Sequence, residues 1–337
     1  MQCVSGTIGA LHGDTAGGGK GSSSMAPLKY EEYPVQEAQA ARPPRRSRLR
    51  RHLPAYLFLL PGMLLFLTWT LYPLIYSLIM SFAEWNLIKP SQFVGLDNYT
   101  RALHDPYFWL ALQNTLFYAF ITVPGQMVLG LAIALLLDGP LRARGFFRTI
   151  YYIPVITSWV VVSLIFTYLF NGQAGLINWI LRDVLHLIST DINWLGEPFT
   201  ANLVIALLGI WKGIGWTMVI FLAGLGSVPT ELHEAAAIDG ANGWQRLRHI
   251  TLPLIRQTIT FVLVILTVGA FQVFISVYII TGGKPLHRTD VLLTYMYSNA
   301  FDSLDLGYGA ALSYLFAAMV FALSIAQIRL LRRRAEY

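Results

Sequence analysis

The sequence predicts an all-α polytopic membrane protein with six transmembrane helices and both termini on the cytoplasmic side. Three observations carry that expectation. Of 337 residues, 55% are hydrophobic and only 12% charged, against roughly 25% charged in a soluble domain. Six apolar segments are each long enough for a bilayer core, which takes about 20 helical residues. The arginines gather on alternate loops, as the positive-inside rule requires.

Residues 1–52 are expected to form a disordered cytoplasmic tail. Gly, Ser, Ala, Pro and charge dominate there without an apolar period, so burial cannot offset the entropy of ordering. The tail has no apolar run of signal-peptide length. Gly17-Gly18-Gly19-Lys20-Gly21-Ser22 briefly suggests a phosphate loop. It fails because Gly21 stands where Ser or Thr should follow Lys20, and neither a strand nor a helix flanks it. Met25 is a candidate true start.

Residues 53–337 hold the spans, placed near 54–82, 114–137, 148–170, 202–228, 254–281 and 309–331. Arg42, Arg45, Arg46, Arg48, Arg50 and Arg51 precede the first span. Arg142, Arg144 and Arg148 lie between or beside the second and third, Arg246 and Arg248 between the fourth and fifth, and Arg329 and Arg332–Arg334 at the end. The opposite loops carry Lys89, Arg101, Arg182, Lys284 and Arg288, diluted by eight acidic residues such as Asp97, Asp105, Asp191 and Asp305. Every loop therefore gives the same orientation. The outer aromatics Trp85, Tyr99, Tyr107, Phe108, Trp109, Trp179 and Trp194 are expected to anchor at the lipid boundary.

No catalytic constellation is present. The seven His are scattered, none paired at metal-ligand spacing, and no nucleophile elbow or Walker loop occurs. The chain is therefore expected to be no enzyme and to hold no cofactor or metal. The single Cys3 excludes an internal disulfide framework. The basic run at 42–51 lacks an aromatic platform beside it, so no nucleic-acid partner is expected.

Polar groups within the spans are candidates for a solute path, since each needs a partner or water in hydrocarbon. Lys212, in Trp211-Lys212-Gly213-Ile214-Gly215-Trp216, either snorkels toward the outer interface or lines a pathway. The adjacent glycines admit a close neighbour. Gln126, Ser158, Ser163, Thr267, Gln272 and Ser276 suit an uncharged polyhydroxy solute, or bond helix to helix. Gln272 stands out among the aromatics of Ala270-Phe271-Gln272-Val273-Phe274. Pro61-Gly62, Tyr72-Pro73, Pro124-Gly125 and Ile153-Pro154 interrupt the spans, and such breaks are tolerated beside a cavity or under neighbouring helices.

The longest polar interruption on the cytoplasmic side is ELHEAAAIDGANGWQRLRHITLPL, residues 231–254. A short helix should carry Glu234 with the small Ala235 and Ala236, and Asp239-Gly240 should stop it, since glycine accepts a sharp reversal. Pro253 is tolerated in the first turn of the next helix.

Glu234-Ala235-Ala236, Asp239-Gly240-Ala241, Ile250 and Leu252-Pro253 resemble, in type and spacing, the EAA signature of ABC importer permeases. The fuller run is similar to the carbohydrate-uptake, maltose-type branch, departing at Leu247 where Phe is usual. Phe93-Val94-Gly95-Leu96-Asp97-Asn98-Tyr99, Asn114-Thr115 and Thr281-Gly282-Gly283 add to the likeness, which covers residues 54 to the end. The resemblance implies the type I ABC importer permease fold in a prokaryotic cell membrane. It implies that 231–249 is a coupling helix docking into a separate ATPase, through Glu234, Ala235, Ala236, Asp239, Gly240 and Ala241. It implies as partners a second homologous permease subunit, two ATP-binding subunits carrying ATP and Mg, an extracytoplasmic sugar-binding protein and membrane lipid. It also implies a sugar pathway near Ser158, Lys212, Gly213, Trp216, Ala270, Gln272 and Val273. The rivals are an ion-gradient-driven secondary transporter, which should carry intramembrane carboxylates, and a membrane scaffold.

Overall fold

The computed structural model describes residues 45–86, 91–139 and 141–332. The expected tail lies outside the described residues as far as residue 44, and so do the Gly17–Ser22 run and Met25. From Arg45 the chain is helical, so the expected disorder up to residue 52 is corrected over its last eight positions. The arginines and Leu49 are good helix formers, and the helix continues into the apolar residues downstream despite Pro54 and Pro61.

The chain divides into two compact units, 1–61 and 62–337. The described part of the first is helical, the start of α1 (Arg45–Phe66). In the second unit a π turn, Leu67–Leu71, leads to α2 (Tyr72–Met80). A two-residue hairpin, β1 (Ala83–Glu84) antiparallel to β2 (Gln92–Phe93), carries the chain to α3 (Asp97–His104). Then follow α4 (Pro106–Asp138), α5 (Arg144–Ile156), α6 (Trp159–Leu169), α7 (Leu176–Trp179) and α8 (Pro198–Leu225). The polar segment after α8 forms α9 (Thr230–Ile238), α10 (Gly243–Arg246) and α11 (Leu252–Leu254). The chain closes with α12 (Arg256–Phe271), α13 (Ile275–Ile280), α14 (Leu292–Tyr297) and α15 (Leu306–Arg332).

Among the described residues, five helical stretches are long and apolar enough to cross a membrane: Pro54–Met80, Pro106–Asp138, Pro198–Leu225, Arg256–Ile280 and Leu306–Arg329. A sixth exists if α5 and α6 count as one span bent by 94°. The third span is therefore not the single straight helix expected over 148–170. The second begins eight residues earlier than expected, because Asp105 caps it and Pro106 suits a first helical position.

The most extensive helix pairing in the second unit is α4 on α8, and it rests on glycine. Gly209 and Gly213 lie one turn apart on α8, and a Cβ at either would collide with Tyr118 or Gln126 of α4. Three apolar clusters form the core. The central one joins α4, α6, α8, α12 and α13 around residues such as Val162, Ile205, Leu208 and Val277. An outer one joins α3, α4, α14 and α15 around Phe108, Tyr295 and Tyr308. A third joins α4, α8 and α12 around Met218, Phe221 and Val262.

The outer ends are tied by polar side chains. Asn98 donates to Ser81 O and Ala83 O, both at 3.0 Å, and the Tyr99 and Ser81 hydroxyls are 2.7 Å apart. Asn114 donates to Arg288 O at 2.9 Å and to Asp290 O at 2.8 Å, while Thr115 Oγ1 accepts from Leu292 N–H at 3.0 Å. Of the aromatics expected at the lipid boundary, Trp109 and Trp179 are exposed. The expectation is corrected for Phe108, which is core, and for Trp194, whose indole donates to Asn178 Oδ1 at 2.8 Å.

Asp105 is the hub of the outer network. It accepts from Tyr107 N–H at 2.9 Å, Tyr308 Oη at 2.7 Å and Tyr295 Oη. Arg101 pairs with Asp305 at 2.7 Å and lies 3.9 Å from the centre of the Tyr308 ring. Burial alone would raise the Asp105 carboxyl, but the hydrogen bonds from Tyr295, Tyr308 and the backbone hold it below the ordinary carboxylate value. A lowered folded-state pKa contributes stability that is present above the unfolded value, about 3.9, and lost as pH falls through the folded one. Asp105→Asn is expected to cost about 1.5–3 kcal/mol at neutral pH, the value of hydrogen bonds to a charged group. In thermal unfolding of the detergent-solubilised chain, the gap between variant and wild type should hold from pH 5 to 8 and narrow below about pH 4.

Candidate functional site

Midway along α8, the chain's buried lysine meets the bend of the third span. Lys212 is 3% exposed. Its Nζ donates to Pro154 O and Thr157 O, each at 2.6 Å, with Val155 O and Thr157 Oγ1 both at 3.4 Å. The Trp159 ring centre lies 4.9 Å away. The expectation of a lysine snorkelling outward is corrected: the ammonium turns inward to carbonyls that the bend leaves without helical partners. The glycine beside Trp216 makes this possible, because a Cβ at Gly215 would collide with Tyr151 O of α5.

Lys212 also lines a cavity of about 270 Å³ between α4, α5–α6, α8 and α12. Gly213, Trp216 and Ala270 line it with Lys212, as the sequence suggested, together with Tyr118, Gln126 and Trp159. Gln126 Nε2 donates to Gly209 O at 3.1 Å. Two indoles, a phenol and an amide thus surround a space whose lining includes one formally charged group, Lys212, and no carboxylate. Such a wall offers ring faces and neutral hydrogen-bonding groups, at a size near the lower end of the roughly 300–1,000 Å³ usual for small-molecule sites.

The other suggested pathway residues lie elsewhere. Ser158 is exposed at the bend, where it opens α6 without making a side-chain cap. Val273 is packed in the central core. Gln272 caps the end of α12, is exposed, and does not line the Lys212 cavity. Its neighbours Phe274 and Tyr278 stack at 5.4 Å and meet Tyr297 at 5.3 and 5.5 Å. Ser163 and Thr267 are buried and bond backbone carbonyls of their own helices at 2.7 Å, a structural use. Tyr118 and Trp159 were missed by sequence reasoning. The spacing of Gly209 and Gly213, which draws α4 onto α8, was the available signal for Tyr118.

The segment from residue 231 to 254 is built as a helix, a left-handed turn and a second helix. α9 ends where Ala241 N–H reaches back to Ala236 O at 2.9 Å and Gly240 takes φ +79°, a Schellman closure that side chains with a Cβ resist. Asn242 and Gln245 then cap α10 reciprocally, at 2.9 and 2.8 Å. Pro253 sits in α11, just ahead of the main helix of the fifth span. Glu234 and Ala235 are exposed on α9, and Ala236 is half-buried. Ala236, Asp239, Gly240 and Ala241 line a groove of about 490 Å³ with Arg246 and His249. Beside it Ile238 is 87% exposed and Trp244 66% exposed. Large apolar side chains bared on a polar loop mark a contact surface, and sequence reasoning had passed over both.

No group of three or more metal-ligating side chains occurs among the described residues. The arrangement is that of a membrane-embedded transport subunit, with a solute-sized cavity in its spans and a rigid contact segment at one end. Residues 126–336 match the family described as binding-protein-dependent transport system inner membrane component. The chain belongs to that family.

Among curated relatives, the probable ABC transporter permease protein YurN of Bacillus subtilis is 35% identical over 285 residues, covering 83% of this chain and 97% of its own. The sulfoquinovosyl glycerol transport system permease protein SmoG of Agrobacterium fabrum is 35% identical over 303 residues, covering 89% and 97%. The lactose transport system permease protein LacF of Rhizobium radiobacter is 33% identical over 297 residues, covering 86% and 98%. Among solved structures, a chain of a bacterial ABC transporter that imports the acidic polysaccharide alginate superposes with a TM-score of 0.77 at 24% identity, covering 86% of this chain and 99% of its own. That likeness shows a shared ABC importer permease fold.

The close approach of α8 to α5 gives a direct test of the cavity's construction. Gly215→Val would drive a branched side chain into the backbone at Tyr151 and should destabilise the chain by about 1–3 kcal/mol or more. Gly145→Ala, where a Cβ meets nothing within 4 Å, is the control and should leave the thermal midpoint unchanged or slightly raised.

Proposed function

We propose that this chain is the permease subunit of an ATP-driven importer of a saccharide. It would form half of the translocation pathway beside a second, homologous permease, with two ATP-binding subunits below and an extracytoplasmic sugar-binding protein above. Both termini and residues 231–249 would be cytoplasmic, in agreement with the arginine asymmetry. The observation that carries the saccharide is the cavity in the spans. Trp159, Trp216 and Tyr118 present rings and Gln126 an amide, the pairing of ring face and hydrogen bond that suits a polyhydroxy solute. Relatives named for lactose and for arabinooligosaccharides support that class.

The ATPase would dock on α9 and the turn after it. Ile238 and Trp244 supply apolar area, Ala235 and Ala236 let the surfaces approach, and Glu234 and Asp239 face solvent with charge. A solvent-exposed ion pair contributes only about 0–1 kcal/mol, whereas burying a large apolar side chain contributes about 1.5–3 kcal/mol. Shape and apolar contact should therefore outweigh the Glu234 charge. ATP and Mg would act on the partner subunits, and this chain would contribute no catalytic group. An ion-gradient mechanism has less support, because the spans contain no carboxylate before Asp138 at the very end of α4.

Proteoliposomes holding the assembled complex test the proposal directly. Labelled saccharide presented with the binding protein should accumulate only when ATP reaches the ATPases; uptake that persists without ATP, under an ion gradient, would overturn it. Gly240→Pro, Ala235→Trp and Ile238→Asp should each leave the chain inserted yet cut transport at least tenfold, by preventing assembly or by separating ATP hydrolysis from uptake. Glu234→Gln should act more weakly than Ile238→Asp, and co-purification of the ATPase measures the difference.

A further inference from the structure

The 94° bend between α5 and α6 leaves the carbonyls at the end of α5 without helical partners. Pro154 deepens the deficit, having no N–H to offer the preceding turn. In water such a break would be solvated; among packed spans a protein group must satisfy it. Lys212 satisfies it with two 2.6 Å hydrogen bonds, one to each side of Ile156. Its charge lies between the negative end of one helix and the face of the Trp159 indole. Thr157 Oγ1 adds a 2.6 Å bond to the same Pro154 carbonyl. Among the described residues, no acidic side chain is paired with Lys212.

We infer that Lys212 is a positioning residue that pins the bend of the third span and is not the group that binds the solute. Both strong hydrogen bonds are shorter than the usual 2.9–3.0 Å of N–H···O contacts. A solute could take the ammonium only by stripping it from these carbonyls, which would leave Pro154 O with Thr157 Oγ1 alone and Thr157 O without its ammonium donor. What the pin does for the cavity is set the wall: Trp159 is the first residue of α6, so its ring takes its place from the angle of the bend. The close approach at Gly215 brings Lys212 within reach, and nothing else in the lining could replace it. The link to transport rests on the function proposed above, but the pin itself is independent of it.

Two measurements separate these layers. In the full chain, with Cys3→Ser, nitroxide labels at Phe147 on α5 and Leu164 on α6 report the bend in lipid nanodiscs. A narrow distance distribution is expected. Lys212→Met should broaden it, and Lys212→Arg, which keeps a cationic donor, should narrow it again. A distribution unchanged by Lys212→Met overturns the proposal, as does one that Lys212→Arg leaves broad. If Lys212→Met fails to insert, Lys212→Gln replaces it, and an unchanged distribution there overturns the proposal equally.

In the assembled transporter, uptake of maltose and of its terminal uronate is compared. Lys212→Met should lower the maximal rate at least tenfold for whichever probe is carried, with half-saturation changed less than twofold. A rise in half-saturation confined to the uronate would make Lys212 a solute ligand and overturn the proposal. Transport of neither probe by wild type would count against the saccharide assignment alone, leaving the distance measurement to decide the role of Lys212.

Discussion

Within lipid, apolar side chains gain nothing by leaving the solvent for a neighbouring helix, so contact between spans must come from close fit and hydrogen bonds. The pairing of α4 with α8 meets that constraint and the remaining architecture follows from it. Gly209 and Gly213 remove the side chains that would hold the helices apart. Gln126 then reaches Gly209 O at 3.1 Å and Tyr118 lies against the α8 backbone. Once α4 is seated there, the other face of α8 is free to approach α5 through Gly215, which carries Lys212 to the broken third span. Small residues on two faces of α8 thus fix the cavity's polar wall and the geometry of its bend.

Much of this was legible in the sequence, and the reasons differ from place to place. The spans were readable because about twenty apolar residues in a row have few other uses. The start of α4 was misplaced because Tyr107, Phe108 and Trp109 read as boundary aromatics, whereas Asp105-Pro106 was already a helix opening. The bend at Thr157 was signalled by Pro154 but its angle was not, since proline permits a kink without setting its size. Lys212 drew attention as a charge in a span, yet both meanings considered for it faced outward or into a pathway. Its actual partners are main-chain carbonyls 55 to 58 residues away, and no pattern in one sequence points to a carbonyl.

The 231–254 segment was more transparent than the cavity because its geometry is local. A left-handed glycine after a short helix, then Asn three residues before Gln, encodes a Schellman closure and a capping box within seven residues. The cavity is assembled from four separate elements, and its lining depends on which faces those elements turn inward. That is why Gly213, Trp216 and Ala270 line one cavity while Val273, three residues past Ala270 and beyond the end of α12, falls into the core. Gln272 is exposed on the surface of the isolated chain; in the proposed importer such a surface becomes part of a shared pathway only when the second permease is present.

The two sites are joined by helical chain with one break. From α10 the backbone passes through the π turn Leu247–Thr251 and α11, leaves helical geometry at Ile255 (ψ 11°), and continues as α12, whose Ile265, Leu266, Gly269 and Ala270 face the cavity. At 1.5 Å per residue, α12 rises roughly 20 Å from Arg256 to Gly269. A helix of that length, buried along one side by residues such as Val262, moves more readily as a rod than it bends. Work delivered at the exposed Ile238–Trp244 surface would therefore arrive at the cavity as a displacement of its α12 wall. The opposite wall, by contrast, is held by Lys212 and the α5 carbonyls. A moving wall set against a pinned one is the mechanical requirement for admitting a solute from one side and releasing it on the other.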